Sequence, residues 1–235
     1  MFNSKFGLMN ASTGIILLFV SLLLVLSTCG NSSVNESVEN STDEVRGWMI
    51  LSDNVEGGLR TIERSGDYDI NHLQISHEVI HDLRHVRDPE RLKIATTFTD
   101  AAHEAGIREV AFWDHALYDL DYYPDEFKTG PDSTIHLDNP EFWNWLRADY
   151  REMLDMVPDI DALILTFIET GARVEDQYSE KMESDPEKLA AVVNAVADVV
   201  IDEYDMNLYA RTFAYDDEEY DRIVKAIDLF EHDEI

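Results

Sequence analysis

The folded part of the chain repeats one pattern of polar and apolar positions. A triplet of an acid or amide, a proline and a glutamate occurs at residues 88–90, 139–141 and 185–187. Each triplet predicts the start of a helix, because Asp or Asn caps free N–H groups, proline fits the first turn and glutamate faces the positive end of the helix dipole. Apolar residues then follow at helical spacing, such as Val192 and Val196 after the third triplet.

Short apolar runs alternate with these helical segments. Five runs are present, at residues 48–51, 70–75, 107–113, 160–168 and 206–215, and a final amphipathic helix is predicted at residues 218–230. The order is strand then helix, five times, which predicts a parallel sheet with helices packed outside it. The fourth run is apolar on both faces, as is typical of an interior strand.

Five such units fit either a doubly wound sheet or part of an eightfold barrel. The first strand–helix turn carries neither G-x-G-x-x-G nor a P-loop, which disfavours a nucleotide-binding sheet. The strands exit into polar residues, and barrel enzymes build their sites at that rim. We therefore predict an α/β fold, a partial (β/α) TIM-type barrel with about five βα units of parallel sheet. A complete barrel takes about 250 residues, so residues 46–235 are expected to form an incomplete one.

The N-terminus has the composition of a targeting segment. Residues 1–28 contain one Lys and no acid, and their apolar run at residues 15–26 is 12 residues long, shorter than the about 20 residues that a bilayer span needs. The run ends in LSTCG, which resembles a lipoprotein signal box. The resemblance implies that Cys29 is lipidated and becomes the mature N-terminus. A plain signal peptide or short anchor with an incidental cysteine is the alternative.

Residues 29–45 are rich in Ser, Asn and Glu and are predicted to be a flexible polar tether. With a lipid on Cys29 the protein would be anchored through its N-terminus at the outer face of a membrane in the cell envelope. With a plain signal peptide it would be secreted.

Charge narrows the choice of partners. The chain of 235 residues carries 18 Lys and Arg against 49 Asp and Glu, a formal net charge of −31. This balance argues against nucleic acid as a partner, because phosphate affinity comes from clustered Lys and Arg. The apolar fraction of 45% is too high for a disordered acidic chain. The surface charge fits solubility, life in high salt or attraction of basic partners.

Glu169 is the first candidate for chemistry. A largely apolar strand ends in this carboxylate, and burial beside such a strand disfavours the charged form. A carboxyl group that stays protonated near neutral pH can act as the proton donor in glycosidic bond cleavage. The alternative is an ion pair with Arg173 or Arg211. Arg211, at the end of the fifth strand, could otherwise clamp a ligand carboxylate bidentately.

The third strand ends in Trp113, Asp114 and His115, which are candidates for binding substrate. A loop of about 25 residues follows and carries further aromatic residues, including Tyr122 and Phe127. Aromatic rings and acids in a rim loop suit a sugar platform. The alternative is that the loop packs its own aromatic side chains. Asp53, at the end of the first strand, is a further candidate for substrate binding.

Residues 77–81 match H-E-x-x-H. On a helix this motif places two imidazoles on one face for zinc, with the glutamate as base. The residues directly before the motif alternate as in a strand, which favours His77 as a rim residue that hydrogen-bonds a ligand. A zinc metallopeptidase with His77 and His81 as ligands stays an alternative.

From residue 70 to residue 215 the layout resembles the front part of a (β/α)-barrel glycoside hydrolase. Most such families carry their acid at the tip of the fourth strand, and the resemblance implies that Glu169 is the general acid. The chain departs from many of these families in having Ile168 directly before the acid. Their nucleophile lies on a seventh strand, which this chain does not reach.

Three hypotheses follow. The first is an envelope-anchored, glycoside hydrolase-like protein in which Glu169 is the acid, Arg211 holds an acidic sugar group and the other candidates bind substrate. The second is the zinc metallopeptidase. The third is a non-catalytic, sugar-binding surface lipoprotein. A carbohydrate partner is expected in the first and third, and no cofactor is predicted.

Overall fold

A computed structural model describes residues 44–117, 119–157, 159–167, 171–212 and 214–235. Glu169 and Cys29 lie outside these residues, as do the predicted signal peptide and all but the last two residues of the predicted tether.

Strands and helices alternate along the chain. The strands are β1 (Gly47–Ile50), β2 (His72–Ile75), β3 (Glu109–His115), β4 (Ala162–Thr166) and β5 (Asn207–Arg211). The helices are α1 (Val55–Glu63), α2 (Pro89–Glu104), α3 (Pro140–Asp155), α4 (Asp185–Val200) and α5 (Asp217–Ile227). The predicted order of strand then helix, five times, is confirmed. Among the described helices, none combines the length and the apolar character that crossing a membrane requires.

The five strands form one parallel sheet in the order β1-β2-β3-β4-β5. In a doubly wound sheet the strand order reverses at a switch point, and the order here does not reverse. Helices that are consecutive along the chain pack on one another: α1 packs on α2, α3 on α4, and α4 on α5. The fold is therefore α/β with a five-stranded parallel sheet flanked by helices, like part of a TIM-type barrel, as the sequence predicts.

Two of the three predicted helix starts have the expected cap. Asp88 accepts hydrogen bonds from backbone N–H groups of α2, and Asn139 does the same for α3. The third helix is capped one residue earlier than the triplet suggests, by Ser184. The Glu187 carboxylate accepts the Ser184 backbone N–H at 2.9 Å, which forms a capping box.

The sheet has two chemically different faces. Side chains alternate between the faces of a strand, and parallel register places paired residues on the same face. We call the two sides the helix face and the inner face. The helix face carries Trp48, Ile50, Leu73, Ile75, Val110, Phe112, Asp114, Leu163, Leu165, Leu208 and Ala210. The inner face carries Met49, His72, Gln74, Glu109, Ala111, Trp113, His115, Ala162, Ile164, Thr166, Asn207, Tyr209 and Arg211.

The main core lies between the helix face and the helices. Most of its apolar strand residues are buried, and Leu73, Ile75, Val110, Leu163 and Leu165 are fully enclosed. Each such side chain contributes about 1.5–3 kcal/mol by leaving water. The inner face holds only a small apolar cluster, made of Ala111, Trp113, Ala162 and Ile164. Most of its other members are polar, so the inner face is the face on which a polar ligand could be bound.

The long connections that follow β3 and β4 are joined to each other. Tyr178 donates its backbone N–H to the Ile135 carbonyl at 2.9 Å, and Leu137 donates to the Tyr178 carbonyl at 2.8 Å. The Gln177 side chain adds a third bond, because its Oε1 accepts the Ile135 N–H at 2.9 Å. The two connections therefore form one hydrogen-bonded layer.

The contact between α1 and α2 gives a test of this packing. A Cβ atom at Gly58 would lie 2.4 Å from Cζ of the fully buried Phe98. We expect Gly58→Ala to destabilise the protein by about 1–3 kcal/mol, since overpacking outweighs the gain in helix propensity. Gly66→Ala is the matched control, because a Cβ there meets nothing within 4 Å. Urea unfolding of both variants measures the effect, and equal stability of the two variants would contradict this packing.

Candidate functional site

The carboxyl ends of β2, β3 and β5 bring several predicted site residues together on the inner face. The ring of His77 lies 5.3 Å from that of Trp113, and the ring of His81 lies 4.2 Å from that of His115, between ring centroids. The His77 and His81 rings are 5.6 Å apart. Arg211 joins this group from β5, with its Cζ 4.2 Å from the centre of the Trp113 ring. Residues more than 130 positions apart in sequence thus meet at one edge of the sheet.

Trp113 is a buried member of this cluster, and its ring is shielded from solvent. It is 2% exposed, and the Arg211 guanidinium lies over its ring. A cation over an aromatic face is attracted by the ring quadrupole, so Trp113 holds Arg211 in place. The direct contact with substrate that the sequence predicts for Trp113 is therefore not available in this arrangement.

His115 is held by the backbone of the β2–α2 connection. Its Nδ1 lies 2.6 Å from the His81 carbonyl oxygen. A carbonyl can only accept, so Nδ1 carries the proton and donates. His77 lies at the end of β2 with φ of +50°, and its Nδ1 is 2.9 Å from the Ser76 hydroxyl. The His77 side chain is exposed, which leaves it accessible to a ligand at the rim.

Below the rim, the inner face opens into a cleft of about 590 Å³, within the range of small-molecule sites. Side chains that reach it include Met49, His72, Gln74, Ile164, Tyr209 and Arg211. Tyr209 is the aromatic wall of this cleft and is 37% exposed. An exposed ring beside amide, imidazole and guanidinium groups can stack on a small polar molecule and hydrogen-bond its edges. We call this cleft the inner-face cleft.

Asp114 points away from this cleft, although the sequence predicts it beside His115. It lies on the helix face and is 3% exposed. Its Oδ1 accepts the Leu83 N–H at 2.9 Å, and its Oδ2 accepts the Tyr150 hydroxyl. Because successive strand residues face opposite sides, Asp114 and His115 cannot line one cleft. Asp114 supports the packing of α3 and of the Leu83–Arg87 turn on the sheet.

A second carboxylate is buried beside Asp114. Asp82 is 5% exposed, and its Oδ1 lies 3.2 Å from the Arg84 Nε. Burial, and then the negative charge of Asp114, raise the pKa of Asp82 to about 8, although Arg84 opposes the shift. Burial also raises the pKa of Asp114. Asp149 and the Tyr122 hydroxyl extend the same buried polar cluster towards solvent.

The aromatic residues of the β3–α3 connection belong to the core. Tyr123 is 8% exposed and Phe127 is 5% exposed. Their rings lie 5.5 Å and 5.9 Å from the ring of Trp145 on α3. The Tyr122 hydroxyl donates to both carboxylate oxygens of Asp149. The loop therefore packs its own aromatic side chains, and this corrects the expectation of a sugar platform there.

The H-E-x-x-H segment forms a turn between β2 and a 3₁₀ helix at Leu83–Arg87. A zincin needs its two imidazoles on one face of a longer helix, and this segment has no such helix. Glu78 instead accepts the Asp53 backbone N–H at 3.4 Å, which joins the ends of β1 and β2. The Asp53 and Glu78 side chains are exposed at this edge.

Within the described part of the chain, one group of three metal donors lies within 4.8 Å of one another: Asp198, Asp202 and His232. It is on the outer side of α4 and not in the inner-face cleft. Arg147 already binds Asp198 through Nε at 2.8 Å and Nη2 at 2.5 Å. Asp202 is largely exposed. The ion pair with Arg147 makes this group a surface charge cluster.

Four residues of the inner face have contacts that the sequence interpretation did not assign to a site. They are His72, Gln74, Glu109 and Tyr209. Glu109 accepts hydrogen bonds from His72, Asn207 and the Tyr209 hydroxyl, the last at 2.8 Å. A signal for them exists in the sequence, because polar residues occupy every second position of β2 and β5 and alternate with buried apolar ones.

The buried carboxyl pair gives a test by pH. A raised pKa in the folded state means that stability from this group is fully present below the ordinary Asp pKa and is lost as pH rises towards 8. Asp82→Asn cannot ionise, so its stability relative to wild type should increase between pH 5 and 8, by at most about 1.4 kcal/mol per pH unit. The measurement is urea unfolding at several pH values.

Asp100→Asn, on the exposed side of α2, is the control for that series and should follow wild type within about 0.5 kcal/mol. A stability difference between Asp82→Asn and wild type that does not change with pH would mean that Asp82 is ionised in the folded protein throughout this range.

No protein-family model matches this sequence, and no curated protein matches it either. The chemistry of the inner-face cleft is therefore argued from its own residues.

Proposed function

We propose that this protein is a carbohydrate-active protein, similar in architecture to (β/α)-barrel glycoside hydrolases. A sugar binds in the inner-face cleft and at the rim above it, and Glu169 serves as general acid. The observation that carries the proposal is the cleft of about 590 Å³, which combines the exposed ring of Tyr209 with the polar groups of Gln74 and Arg211.

The cleft offers a sugar both an apolar surface for stacking and polar groups for hydrogen bonds. A pyranose has C–H faces that stack on an aromatic ring and hydroxyl groups around its edge. Tyr209 supplies the ring. Gln74 and Arg211 supply hydrogen-bonding groups, and Arg211 is a donor only. The described residues of the cleft include no Lys, and the guanidinium of Arg211 is the charge that a ligand meets at the rim.

Arg211 favours a sugar that carries a carboxylate. A guanidinium binds a carboxylate through two parallel N–H···O bonds, with more geometric specificity than an ammonium group. The centre of the Trp113 ring lies 4.2 Å from Cζ of Arg211, and the ring attracts the guanidinium. A side chain that is already held in place loses less entropy on binding. A uronic acid unit is therefore the expected ligand.

Glu169 is assigned as the acid from its position in the sequence. Thr166 on β4 pairs with His115 of β3 on one side and with Arg211 of β5 on the other. Glu169 follows Thr166 by three residues. A carboxyl group that follows a buried strand has its charged form disfavoured by desolvation, which is what a proton donor near neutral pH requires.

The lipid anchor on Cys29 remains part of the proposal. It would place the folded domain at the outer face of a membrane, on a tether, where extracellular polysaccharides are within reach. Carbohydrate and, through the lipid, the membrane would be its partners.

The binding test uses the full-length chain and two sets of oligosaccharides, one neutral and one containing uronic acids. We expect calorimetry to detect binding of the acidic set, and Arg211→Ala to weaken it at least about tenfold, the loss typical of a charged hydrogen bond. Tyr209→Phe keeps the ring but loses the hydroxyl bond to Glu109, so retained affinity in this variant would assign the contribution of Tyr209 to stacking. Absence of binding to both sets would overturn the proposal.

The catalytic test uses release of reducing ends from the oligosaccharide that binds. We expect Glu169→Gln to lower kcat by about 10²–10⁴-fold, the contribution of a general acid, while the dissociation constant changes little. Glu104→Gln, at the exposed end of α2, is the matched control and should keep full activity. If the wild type binds sugar but hydrolyses none, the protein is a non-catalytic sugar-binding protein and the enzyme proposal is wrong.

A further inference from the structure

The indole N–H of Trp113 defines the orientation of Gln74. An indole nitrogen is a donor only, and Trp113 Nε1 lies 3.1 Å from Gln74 Oε1. The side-chain oxygen of Gln74 must therefore face Trp113. The opposite assignment of the amide would place two donors against each other. The Gln74 amide nitrogen consequently points to the other neighbour on the inner face, which is His72.

The orientation of Gln74 in turn defines the protonation of His72. Gln74 Nε2 lies 3.2 Å from His72 Nε2, and an amide NH₂ can only donate. His72 Nε2 must accept, so it carries no proton. The proton of the neutral ring is then on Nδ1, which donates to the Glu109 carboxylate. His72 is thus neutral, in a single tautomer.

Glu109 is the fixed end of this series of bonds. Besides His72, it accepts Asn207 Nδ2 and the Tyr209 hydroxyl, so three donors surround one carboxylate. Partial burial raises the pKa of Glu109, but these hydrogen bonds outweigh burial and the pKa lies below its ordinary value. An ionised Glu109 accepts from all three donors, which matches the tautomer derived for His72.

The other end of the series is the cleft. Trp113 lies under the Arg211 guanidinium, and its N–H is held by Gln74. We propose that Glu109, His72 and Gln74 form a positioning chain that fixes the orientation of Trp113, and through it the Arg211 guanidinium at the cleft, and that protonation of His72 breaks this chain. None of the three is a catalytic residue.

Protonation breaks the chain because no assignment of hydrogens then satisfies every contact. An imidazolium has an N–H at Nε2, which faces the Gln74 NH₂. If the amide turns over to accept from His72, its NH₂ faces the Trp113 N–H. The titratable groups that face His72 are Glu109 from β3 and Tyr209 from β5. From β1 the neighbour is Gly47, where a Cβ would lie 3.0 Å from the His72 ring.

The first test needs no variant. Nitrogen-15 correlation spectra of the full-length protein at pH 8 should show His72 protonated at Nδ1 and unprotonated at Nε2. When His72 becomes protonated on acidification, the indole N–H of Trp113 should shift and exchange faster with water. Trp143 is the internal control, because its Nε1 donates 2.6 Å to the Leu137 carbonyl, which does not titrate.

Two variants distinguish positioning from general packing. In Gln74→Glu, a carboxylate accepts from both Trp113 and a protonated His72, so the Trp113 signal should stay constant as His72 titrates. In Gln74→Leu, the Trp113 N–H should lose its protection at every pH. A His72 ring protonated at Nε2 at pH 8, or an unchanged Trp113 signal in Gln74→Leu, would overturn the proposal.

The effect on sugar affinity rests on the proposed function. If a uronic acid ligand binds, Gln74→Leu should weaken it at least about fivefold, because the variant loses both the hydrogen-bonding group that Gln74 offers in the cleft and the bond that orients Trp113. Gln74→Glu should retain more of the affinity at low pH than wild type. If no sugar binds while the His72 tautomer and the Trp113 signal behave as expected, the proposed function fails and the positioning chain stands.

Discussion

A polar side chain that is buried in a parallel sheet must find its hydrogen-bond partner within the protein, because little water reaches it. The inner face of this sheet meets that requirement with a network that runs from β5 to β3, then to β2, and back to β3. Glu109 accepts three donors, one from the adjacent strand β2 and two from β5 on the far side of β4. Because each donor in this network must face an acceptor, the network determines the orientation of the groups that line the cleft.

The helix face of the same sheet satisfies the requirement differently. There the strands are apolar, and Asp114 is the exception among them. Its carboxylate is bound by a backbone N–H and by Tyr150 from α3. Burial, and then the negative charge of Asp114, raise the pKa of the neighbouring Asp82. The buried cluster ties α3 and the β2–α2 connection to β3. The inner face thus carries polar groups that border a cleft, whereas the buried charge on the helix face supports packing.

Much of the fold could be predicted because it depends on local signals. Short stretches of sequence predict the helix caps at Asp88 and Asn139. They also predict the alternation of apolar runs with helical segments. The cap at Ser184 shows the limit of that signal, since two adjacent residues can both cap a helix and only one does.

The site was less predictable because it depends on which face of the sheet each side chain occupies and on contacts between residues that are distant in sequence. Asp114 and His115 are neighbours in sequence, and the alternation of side chains along a strand assigns them to opposite faces. The prediction of both residues for one site considered only that they end the same strand. The burial of Trp113 beneath Arg211 depends on a contact between strands almost 100 residues apart, and no local pattern reports it. Likewise the aromatic residues after β3 meet Trp145 only once α3 has folded back.

The bond from Tyr209 to Glu109 has a consequence for how this sequence can vary. A replacement at position 109 that removes the acceptor leaves the buried His72 with an unmatched donor, and it also removes the shared acceptor of the more exposed Asn207 and Tyr209. Relatives that keep the fold but lose the glutamate should therefore differ at several of these positions together. Positions 72, 109, 207 and 209 are therefore expected to change together among relatives, whereas the aliphatic residues of the helix face can be exchanged one at a time.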